Sequence, residues 1–347
     1  MPNAAPPTLK PAMSSSSSSH SDPTKAPAPP GQIRPWPKPT SEGDIDFNIP
    51  STGDAAKTHY WLWGDLSSSS KVPLICLHGG PGVPHNYLLP ISLIYEDYGI
   101  PVIMYDQVGC GKSTRFKEKK FDDSFFNPAL FMAELDNLKS HLGIKTFSLL
   151  GQSWGGMLAA QYAISQPPGL HKLIIADSPA SMITWVKVCN RLRSALPQDV
   201  QDTLTRLEKE GKTDTSEYEA AVSIFYARHV CRLSPFPSEL TASFSQLADD
   251  NTVYESMNGP SEFYVTGSLK TWDITEGLRR VEGKTAPGGV LLVNGYFDEA
   301  QDECMEAFFT EVRARVKWVR FALSGHCPQL EETEGFIAAL GGFLTSE

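Results

Sequence analysis

Apolar and polar positions follow two patterns along this chain: continuous apolar runs and longer periodic stripes. The apolar runs at 72–77 and 101–105 predict buried strands, and the segments 147–150, 172–176, 289–294 and 316–322 predict further strands. The stripes have helical spacing and lie at 128–142, 157–164, 303–315 and 330–344. Two alternating stretches, 44–49 and 57–63, predict an antiparallel pair of strands. Strands that alternate with helices through short loops predict an α/β fold, a mostly parallel sheet covered by helices on both faces.

The alternation of strands and helices stops between residues 180 and 270. Helical patterns dominate there, at 186–196, 200–210 and 217–232, and no buried strand run appears. We predict a helical cap at 180–270 that interrupts an α/β core, with the first part of the core at 43–179 and the second at 271–347. The expected hinge, where the cap rejoins the core, is Trp272-Asp273. Such a cap would lie over the carboxyl ends of the strands, where open α/β sheets bind ligands.

Residues 1–42 differ from the rest of the chain in composition. They are rich in Pro, Ser and Ala, with an unbroken serine run at 14–19. A segment of this kind buries too little apolar surface to offset its chain entropy. We therefore predict a disordered tail, with Trp36 as a candidate contact to the folded domain.

Charge and cysteine spacing exclude several classes of function. The net charge is −10 and no basic cluster is present, which argues against nucleic-acid binding. The chain has no apolar run of about 18 residues and no apolar stretch of signal-peptide type, so neither a membrane span nor export is expected. The six cysteines lack C-x-x-C spacing, which predicts neither a zinc site nor a disulfide framework. We expect a cytoplasmic protein with free thiols; its oligomeric state is not predicted.

The stretch 149–156, Leu-Leu-Gly-Gln-Ser-Trp-Gly-Gly, contains the pattern G-x-S-x-G with Ser153 at its centre. An apolar run precedes it and a helical pattern follows, which predicts a strand, a sharp turn and a helix. This geometry would expose the serine oxygen and direct helix N-terminal N–H groups at a developing negative charge. The same letters also fit a plain turn with an N-capping serine, so other residues must decide.

A nucleophilic serine needs a histidine base that is oriented by a carboxylate. In the nucleophile-elbow architecture the acid and the base follow the serine in that order, on loops after later strands. Asp298 follows the strand at 289–294, and His326 follows the strand at 316–322. Asp177 also ends a strand and remains the alternative acid.

The tetrahedral intermediate also needs an oxyanion hole. One donor is expected to be the backbone N–H of Trp154, directly after the nucleophile, and the other that of Gly80 in the glycine-rich loop 78–82. A bare glycine-rich turn is the alternative for that loop. A dinucleotide site is not predicted because the spacing G-x-G-x-x-G is absent. The chemistry needs no metal or organic cofactor, and none is expected.

Six segments together resemble the proline iminopeptidase family of α/β-hydrolases. They are HGGPG at 78–82, YDQVGCGKS at 105–113, GQSWGG at 151–156, MNGPSEF at 257–263, GYFDEA at 295–300 and SGHCPQLEE at 324–332. The resemblance runs from about Ile45 to the C-terminus and includes the cap. It implies an α/β-hydrolase fold and a serine exopeptidase that removes one N-terminal residue, often proline, from short peptides. The implied triad is Ser153, Asp298 and His326.

An exopeptidase must recognise the free α-amine of its substrate, and a buried ammonium needs carboxylate partners. By resemblance to family members that carry a Gly-Pro-Asn-Glu-Phe segment and an Asp-Glu pair, the candidates are Glu262 and Glu299. The alternative for each is a solvated surface glutamate. Asn258 and Trp154 are further candidates for shaping the pocket. One departure bears on the substrate: the family's common Gly-Arg-Tyr-Asp is Gly-Tyr-Phe-Asp here, at 295–298.

The predicted function is a serine hydrolase that releases an N-terminal residue, proline or another small or apolar residue, from short peptides or amino-acid amides through an acyl-enzyme. The alternative is an esterase or amide hydrolase that acts on a secondary metabolite without a free amine. A non-enzymatic binding module on the same fold is a third hypothesis, which an intact triad disfavours. Epoxide hydrolases and dehalogenases use Asp as the nucleophile at the elbow, so these two activities are disfavoured as well.

Overall fold

The computed structural model describes residues 26–346; residues 1–25 of the predicted tail and Glu347 lie outside this range. The strands are β1 (Ser41–Asn48), β2 (Ala55–Trp63), β3 (Leu74–Leu77), β4 (Val102–Tyr105), β5 (Phe147–Gln152), β6 (Leu170–Ala176), β7 (Val290–Gly295) and β8 (Val316–Phe321). Within the described range they form one sheet in the order β1-β2-β4-β3-β5-β6-β7-β8. β2 pairs antiparallel with both β1 and β4, and the remaining neighbours are parallel.

The helices cover both faces of this sheet. They are α1 (Leu93–Tyr98), α2 (Pro128–His141), α3 (Trp154–Ile164), α4 (Met182–Arg193), α5 (Gln198–Glu210), α6 (Ser216–His229), α7 (Ser238–Asp249), α8 (Thr252–Met257), α9 (Asp302–Glu311), α10 (Pro328–Glu331) and α11 (Thr333–Thr345). α2, α3 and α9 pack on one apolar core, and α1 and α11 pack on the other. The predicted α/β-hydrolase fold, a mostly parallel sheet between two helical layers, is confirmed.

Strand periodicity explains why the sheet has two cores. Successive side chains of a strand point to opposite faces. On β3, Ile75 and Leu77 join the core under α2 and α3, whereas Leu74 and Cys76 join the core under α1 and α11. All four side chains are buried, which is why this segment is a continuous apolar run in the sequence.

Five helices of the described chain, α4 to α8, lie between β6 and β7, in the stretch where the sequence predicts a cap. The segments that enter and leave this insertion meet at its base. Ser181 and Asp273 form an isolated antiparallel bridge, and Met182 donates its backbone N–H to the carbonyl of Trp272 over 2.9 Å. This pairing agrees with a hinge at Trp272-Asp273, while the domain boundaries at 43–179, 180–270 and 271–347 remain predictions.

Several side chains of residues 26–40, inside the predicted tail, contact the folded domain, and the candidate contact Trp36 is one of them. Trp36 packs against the core under α1 and α11, and the indole N–H of Trp63 donates to the carbonyl of Pro37 over 2.8 Å. Arg34 forms an ion pair with Asp97. The segment lacks a helix or strand of its own, so periodicity gives no signal, and its order comes from these contacts with the domain.

The last predicted helix, 330–344, is broken in two at Glu332. This residue separates α10 from α11 and has φ −126° and ψ 50°, outside the helical region. Its carboxylate accepts hydrogen bonds from the backbone N–H of Leu323, at 2.9 Å, and from the hydroxyl of Ser324, at 2.7 Å. The break therefore ties the helix to the loop that follows β8, the loop that carries His326.

Gly155→Ala is expected to destabilise the fold strongly. A Cβ at this position in α3 would lie 2.1 Å from the carbonyl oxygen of Leu77, a backbone atom that cannot turn aside. We expect the free energy of unfolding in urea to fall by about 3 kcal/mol or more. The matched control is Gly342→Ala in α11, where the added Cβ meets nothing within 4 Å. Helix propensity predicts a gain of about 0.5–1 kcal/mol there. Equal stabilities of the two variants would contradict the close packing of α3 on β3.

Candidate active site

Ser153 lies between β5 and α3 in a backbone conformation that few non-glycine residues adopt, with φ 57° and ψ −125°. Its flanking glycines make this turn possible. A Cβ on Gly151 would lie 1.9 Å from the carbonyl oxygen of Gly155, and a Cβ on Gly155 would contact β3. The turn is therefore sharp because β5 and α3 approach each other, and α3 approaches β3, at backbone distance. This is the geometry predicted from G-x-S-x-G.

His326 and Asp298 form a close pair beside this turn. The imidazole Nδ1 donates to Asp298 Oδ1 over 2.7 Å, and the backbone N–H of Ala300 donates to the same oxygen over 2.8 Å. Both side chains are buried. Because Nδ1 is held by the carboxylate, Nε2 is the nitrogen left for chemistry. Ser153 and His326 line one cavity.

The loop after β3 approaches Ser153 closely. A Cβ on Gly79 would lie 2.8 Å from the Cβ of Ser153, and Gly80 has φ 109°. Within residues 26–346, the backbone N–H groups of Gly80 and Trp154 have no recorded protein acceptor. Two unused N–H groups on either side of the serine are what an oxyanion hole requires.

Gln107 links the two elements that carry these donors. Its side-chain Nε2 donates to the carbonyl of His78 over 2.9 Å, and its Oε1 accepts from the indole N–H of Trp154 over 2.9 Å. The backbone N–H of Gln107 donates to His78 Nε2 over 2.9 Å. Burial lowers the pKa of His78 to about 4, which keeps the imidazole neutral and able to accept.

Tyr87 and Gln152 form a second link, from the loop after β3 to the histidine loop. The backbone N–H of Gly79 donates to the Tyr87 hydroxyl over 2.7 Å, and this hydroxyl donates to Gln152 Oε1 over 2.6 Å. Gln152 Nε2 then donates to the carbonyl of His326 over 2.8 Å. All the side chains in this chain of hydrogen bonds are buried, so each bond is protected from competition with water.

Two glutamates face the cavity that Ser153 and His326 line. The hydroxyl of Tyr254 donates to Glu262 Oε1 over 2.6 Å, while Glu299 Oε1 lies 3.7 Å from His326 Nε2. Glu299 Oε2 is buried without a hydrogen-bond partner. Burial, followed by the charges of Glu262 and Asp298, raises the pKa of Glu299 well above its usual range. Burial also raises the pKa of Glu262, against the hydrogen bond from Tyr254 and the nearby imidazole.

The last turn of α6, in the predicted cap, holds the loops that carry these groups. The backbone N–H of His326 donates to the carbonyls of His229, at 3.0 Å, and Val230, at 2.9 Å. The backbone N–H of Glu299 donates to the carbonyl of His229 over 3.3 Å, and His229 Nδ1 bonds to the carbonyl of Phe297 over 2.9 Å. The end of this helix thus fixes the positions of both loops.

Apart from these polar groups, the walls around Ser153 are mainly apolar. One side of the cavity is lined by Val83, Tyr226, Val230, Leu240, Phe244 and Leu247. A second recess, which also reaches Gly80, Ser153 and Glu262, is lined by Trp154, Met157, Pro179, Met182, Trp185, Asn258 and Leu269. Ser153 therefore lies between two mainly apolar recesses that share one carboxylate, Glu262.

The sequence of this chain is similar to those of known proteins. Residues 72–333 match the family described as the alpha/beta hydrolase fold. A proline iminopeptidase of Heyndrickxia coagulans is 37% identical over 274 residues, which cover 79% of this chain and 91% of that protein. The proline iminopeptidase of Saccharolobus solfataricus is 34% identical, over 78% of this chain and 84% of its own.

Two solved structures are similar in both sequence and fold. VinJ superposes with a TM-score of 0.82 at 41% identity and covers 88% of this chain and 98% of its own. The proline iminopeptidase of Mycobacterium smegmatis has a TM-score of 0.78 at 39% identity, with coverages of 88% and 97%.

The chain belongs to the proline iminopeptidase family of α/β-hydrolases. The resemblance found in the sequence is thereby confirmed, and the protein is an enzyme, a hydrolase of the serine peptidase type. Within residues 26–346, no helix has the length and apolar character that crossing a membrane requires.

The structure brings most of the predicted site residues together, while their catalytic roles remain predictions. Around the cavity with Ser153 and His326 lie Gly80, Glu262 and Glu299; Trp154 lines the adjoining recess, and Asp298 bonds to the imidazole. Asp177, the alternative acid, lies near Asp298 and, within residues 26–346, forms no hydrogen bond or ion pair with His326.

The linking residues Gln107, Tyr87 and Gln152 were not singled out from the sequence. Gln107 and Gln152 lie inside segments that carry the family resemblance, so their motifs were a usable signal. Tyr87 lies outside those segments, and its partner Gln152 is 65 positions away. Only the folded chain reveals that pairing.

Tyr87→Phe tests whether the link from Gly79 to Gln152 matters. Removing the hydroxyl leaves a buried N–H and a buried amide oxygen without their partner. We expect the free energy of unfolding to fall by about 1–3 kcal/mol, the cost of unsatisfied buried groups. The matched control is Tyr105→Phe, since the buried hydroxyl of Tyr105 has no hydrogen-bond partner within the described residues. In urea unfolding, the control should be as stable as the wild type or slightly more stable. A Tyr87→Phe protein as stable as the control would show that this hydrogen-bonded link does not stabilise the fold.

Proposed function

We propose that this hydrolase is a serine exopeptidase that removes an N-terminal residue, proline or another small or apolar residue, from short peptides or amino-acid amides. The observation that carries the proposal is the pair of glutamates, Glu262 and Glu299, that faces the same cavity as Ser153 and His326. Relatives that are 30–37% identical carry the name proline iminopeptidase. We further propose a cytoplasmic location, from the sequence alone.

The proposed reaction begins with attack by Ser153 Oγ on the carbonyl carbon of the first residue. His326 Nε2 takes the hydroxyl proton, while Asp298 holds the imidazole through Nδ1 and stabilises its positive charge. The negative charge that develops on the substrate oxygen is received by the backbone N–H groups of Gly80 and Trp154. His326 then returns the proton to the leaving amine, and water hydrolyses the acyl-enzyme by the same steps.

The glutamates explain why a free amine is proposed. Glu299 is buried and Glu262 is half-buried, and two carboxylates in such surroundings are costly when no cation accompanies them. A substrate ammonium that binds between Glu262 and Glu299 would offset that cost. It would also fix the distance from the first residue's carbonyl to Ser153, so cleavage would be limited to one residue at a time. Solvated surface glutamates, the alternative in the sequence, do not fit carboxyl groups that face this cavity.

The mainly apolar walls favour a second candidate. An esterase or amide hydrolase acting on a secondary metabolite without a free amine would use the same triad and the apolar recesses. Tyr296 and Phe297, in place of the family's common Arg-Tyr, are compatible with this alternative. The two candidates differ in whether the glutamates contribute to binding.

Ser153→Ala is expected to abolish hydrolysis of prolyl and alanyl arylamides. If the triad acts as a unit, as in subtilisin, kcat falls by about 10⁶. Ser140→Ala, on the exposed face of α2, should keep full activity. A fluorophosphonate probe should label the wild-type protein and Ser140→Ala, and it should leave Ser153→Ala unlabelled. Activity that survives in Ser153→Ala would refute the assignment, and a wild-type protein that does not react with the probe would favour a binding role.

Glu262→Gln distinguishes the two candidate functions. The variant keeps the size of the side chain but loses its charge, so KM for substrates with a free amine should rise about tenfold or more, matching about 1.5–3 kcal/mol for a hydrogen bond to a charged group. KM for N-blocked esters should change little. Glu306→Gln, an exposed glutamate of α9, is the control and should behave like the wild type. Equal effects on free and blocked substrates would favour the esterase candidate.

A further inference from the structure

Two buried carboxyl groups meet below the proposed triad. Asp177 directly follows β6, and Asp298 lies in the loop after β7, the neighbouring strand. The backbone N–H of Asp177 donates to the carbonyl of Val293 over 2.7 Å, which brings the ends of the two strands together. Both residues have 0% exposure, and their carboxyl groups are near enough to affect each other.

Three of the four carboxyl oxygens of this pair lack a hydrogen-bond donor. Asp298 Oδ1 accepts from His326 Nδ1 and from the backbone of Ala300, while Asp298 Oδ2 has no donor. Neither oxygen of Asp177 has a donor, and within residues 26–346 Asp177 takes part in no ion pair. Two ionised carboxylates in contact and shielded from water would repel each other. One proton between them removes the repulsion and turns two unsatisfied acceptors into a donor and an acceptor.

We propose that Asp177 is a positioning residue that keeps a proton and donates it in a hydrogen bond to Asp298 Oδ2. The inference rests on the triad of the proposed function. In this arrangement Asp298 is held through both oxygens, by the imidazole and Ala300 on one side and by Asp177 on the other. The hydrogen bond from Asp177 also draws charge away from the oxygens of Asp298 and so moderates the attraction that this carboxylate exerts on a protonated His326.

The surroundings of Asp177 agree with a neutral carboxyl group. Burial, and next the charge of Asp298, raise the pKa of Asp177 well above its usual range. The other titratable groups that face it are Glu331 in α10, Tyr87 after β3 and Cys327 after β8, none of which supplies a positive charge. The backbone N–H of Gly295 approaches the carboxyl group without completing a well-formed hydrogen bond.

Asp298 and His326 have further titratable neighbours that enter any pH dependence. Glu299 and His229 face Asp298, and both Glu262 and Glu299 face the imidazole. The test variants leave all of these groups unchanged.

The test compares Asp177→Asn with Asp177→Ala. The asparagine keeps an N–H donor for Asp298 Oδ2 and carries no charge, like the proposed protonated acid. Asp177→Asn should therefore keep kcat/KM for a prolyl arylamide within about threefold and leave the acidic limb of its pH profile in place. Asp177→Ala removes the hydrogen-bond donor, so the carboxylate of Asp298 should attract a protonated His326 more strongly. The acidic limb of the pH profile should then move to higher pH by about one unit, and kcat should fall about tenfold or more. A shift of the limb to lower pH in Asp177→Asn would overturn the proposal, because it would mean that a negative charge had been removed.

An infrared measurement tests the proton without activity. The difference spectrum of Ser153→Ala minus Ser153→Ala/Asp177→Asn at neutral pH should contain the C=O band of a protonated carboxylic acid. A carboxylate band in its place would overturn the proposal, even if Asp177→Ala fails to fold. Activity retained in Ser153→Ala would refute the proposed triad, whereas the infrared band reports only on the proton of Asp177.

Discussion

The close approach of backbone to backbone beneath Ser153 is the constraint on which the rest of the site depends. α3 begins within contact distance of β3, and β5 turns into α3 with no room for a Cβ at Gly151 or Gly155. This packing forces Ser153 to φ 57° and brings Gly79 of the neighbouring loop against it. The nucleophile and the proposed oxyanion donors are thus positioned by the main chain of three adjacent elements. The side chains around them, Gln107 and Tyr87 among others, secure positions that the main chain already defines.

Acidic side chains without a lysine or arginine partner are the second theme of the structure. Glu262, Glu299 and Asp298 lie near one imidazole, Asp177 lies near Asp298, and no lysine or arginine forms an ion pair with any of them within residues 26–346. Loss of contact with water makes a charge on these groups costly, and a neutral donor, the Tyr254 hydroxyl, bonds to Glu262. The pKa values of the two glutamates are raised accordingly, which is the basis of the proposed contact with a substrate ammonium.

The fold was predictable from the sequence because its central strands are buried on both faces and therefore appear as unbroken apolar runs. The order of Ser153, Asp298 and His326 was predictable for a related reason, since each follows a predicted strand. The contacts of Arg34 and Pro37 with the domain and the break at Glu332 were not predictable, because they depend on distant residues. The proximity of Asp177 and Asp298 was not predictable for the same reason. In the sequence they are alternative candidates for the acid, and in the structure they are neighbours.

The end of α6 divides the cap into unequal parts. The carbonyls of His229 and Val230 accept hydrogen bonds from the backbone N–H groups of His326 and Glu299. The first portion of the predicted cap is therefore joined to the core by hydrogen bonds as well as by the continuous chain. Within the described part of the chain, the walls contributed by α7 and α8, among them Leu240, Phe244 and Tyr254, form no hydrogen bond to those two loops. An engineer who exchanges caps between relatives to alter specificity would therefore place the junction after Arg232, whose guanidinium donates to the carbonyl of Leu323 in the histidine loop. The exchanged piece would then carry α7, α8 and Glu262, and the recipient would keep the residues that hold its own histidine loop.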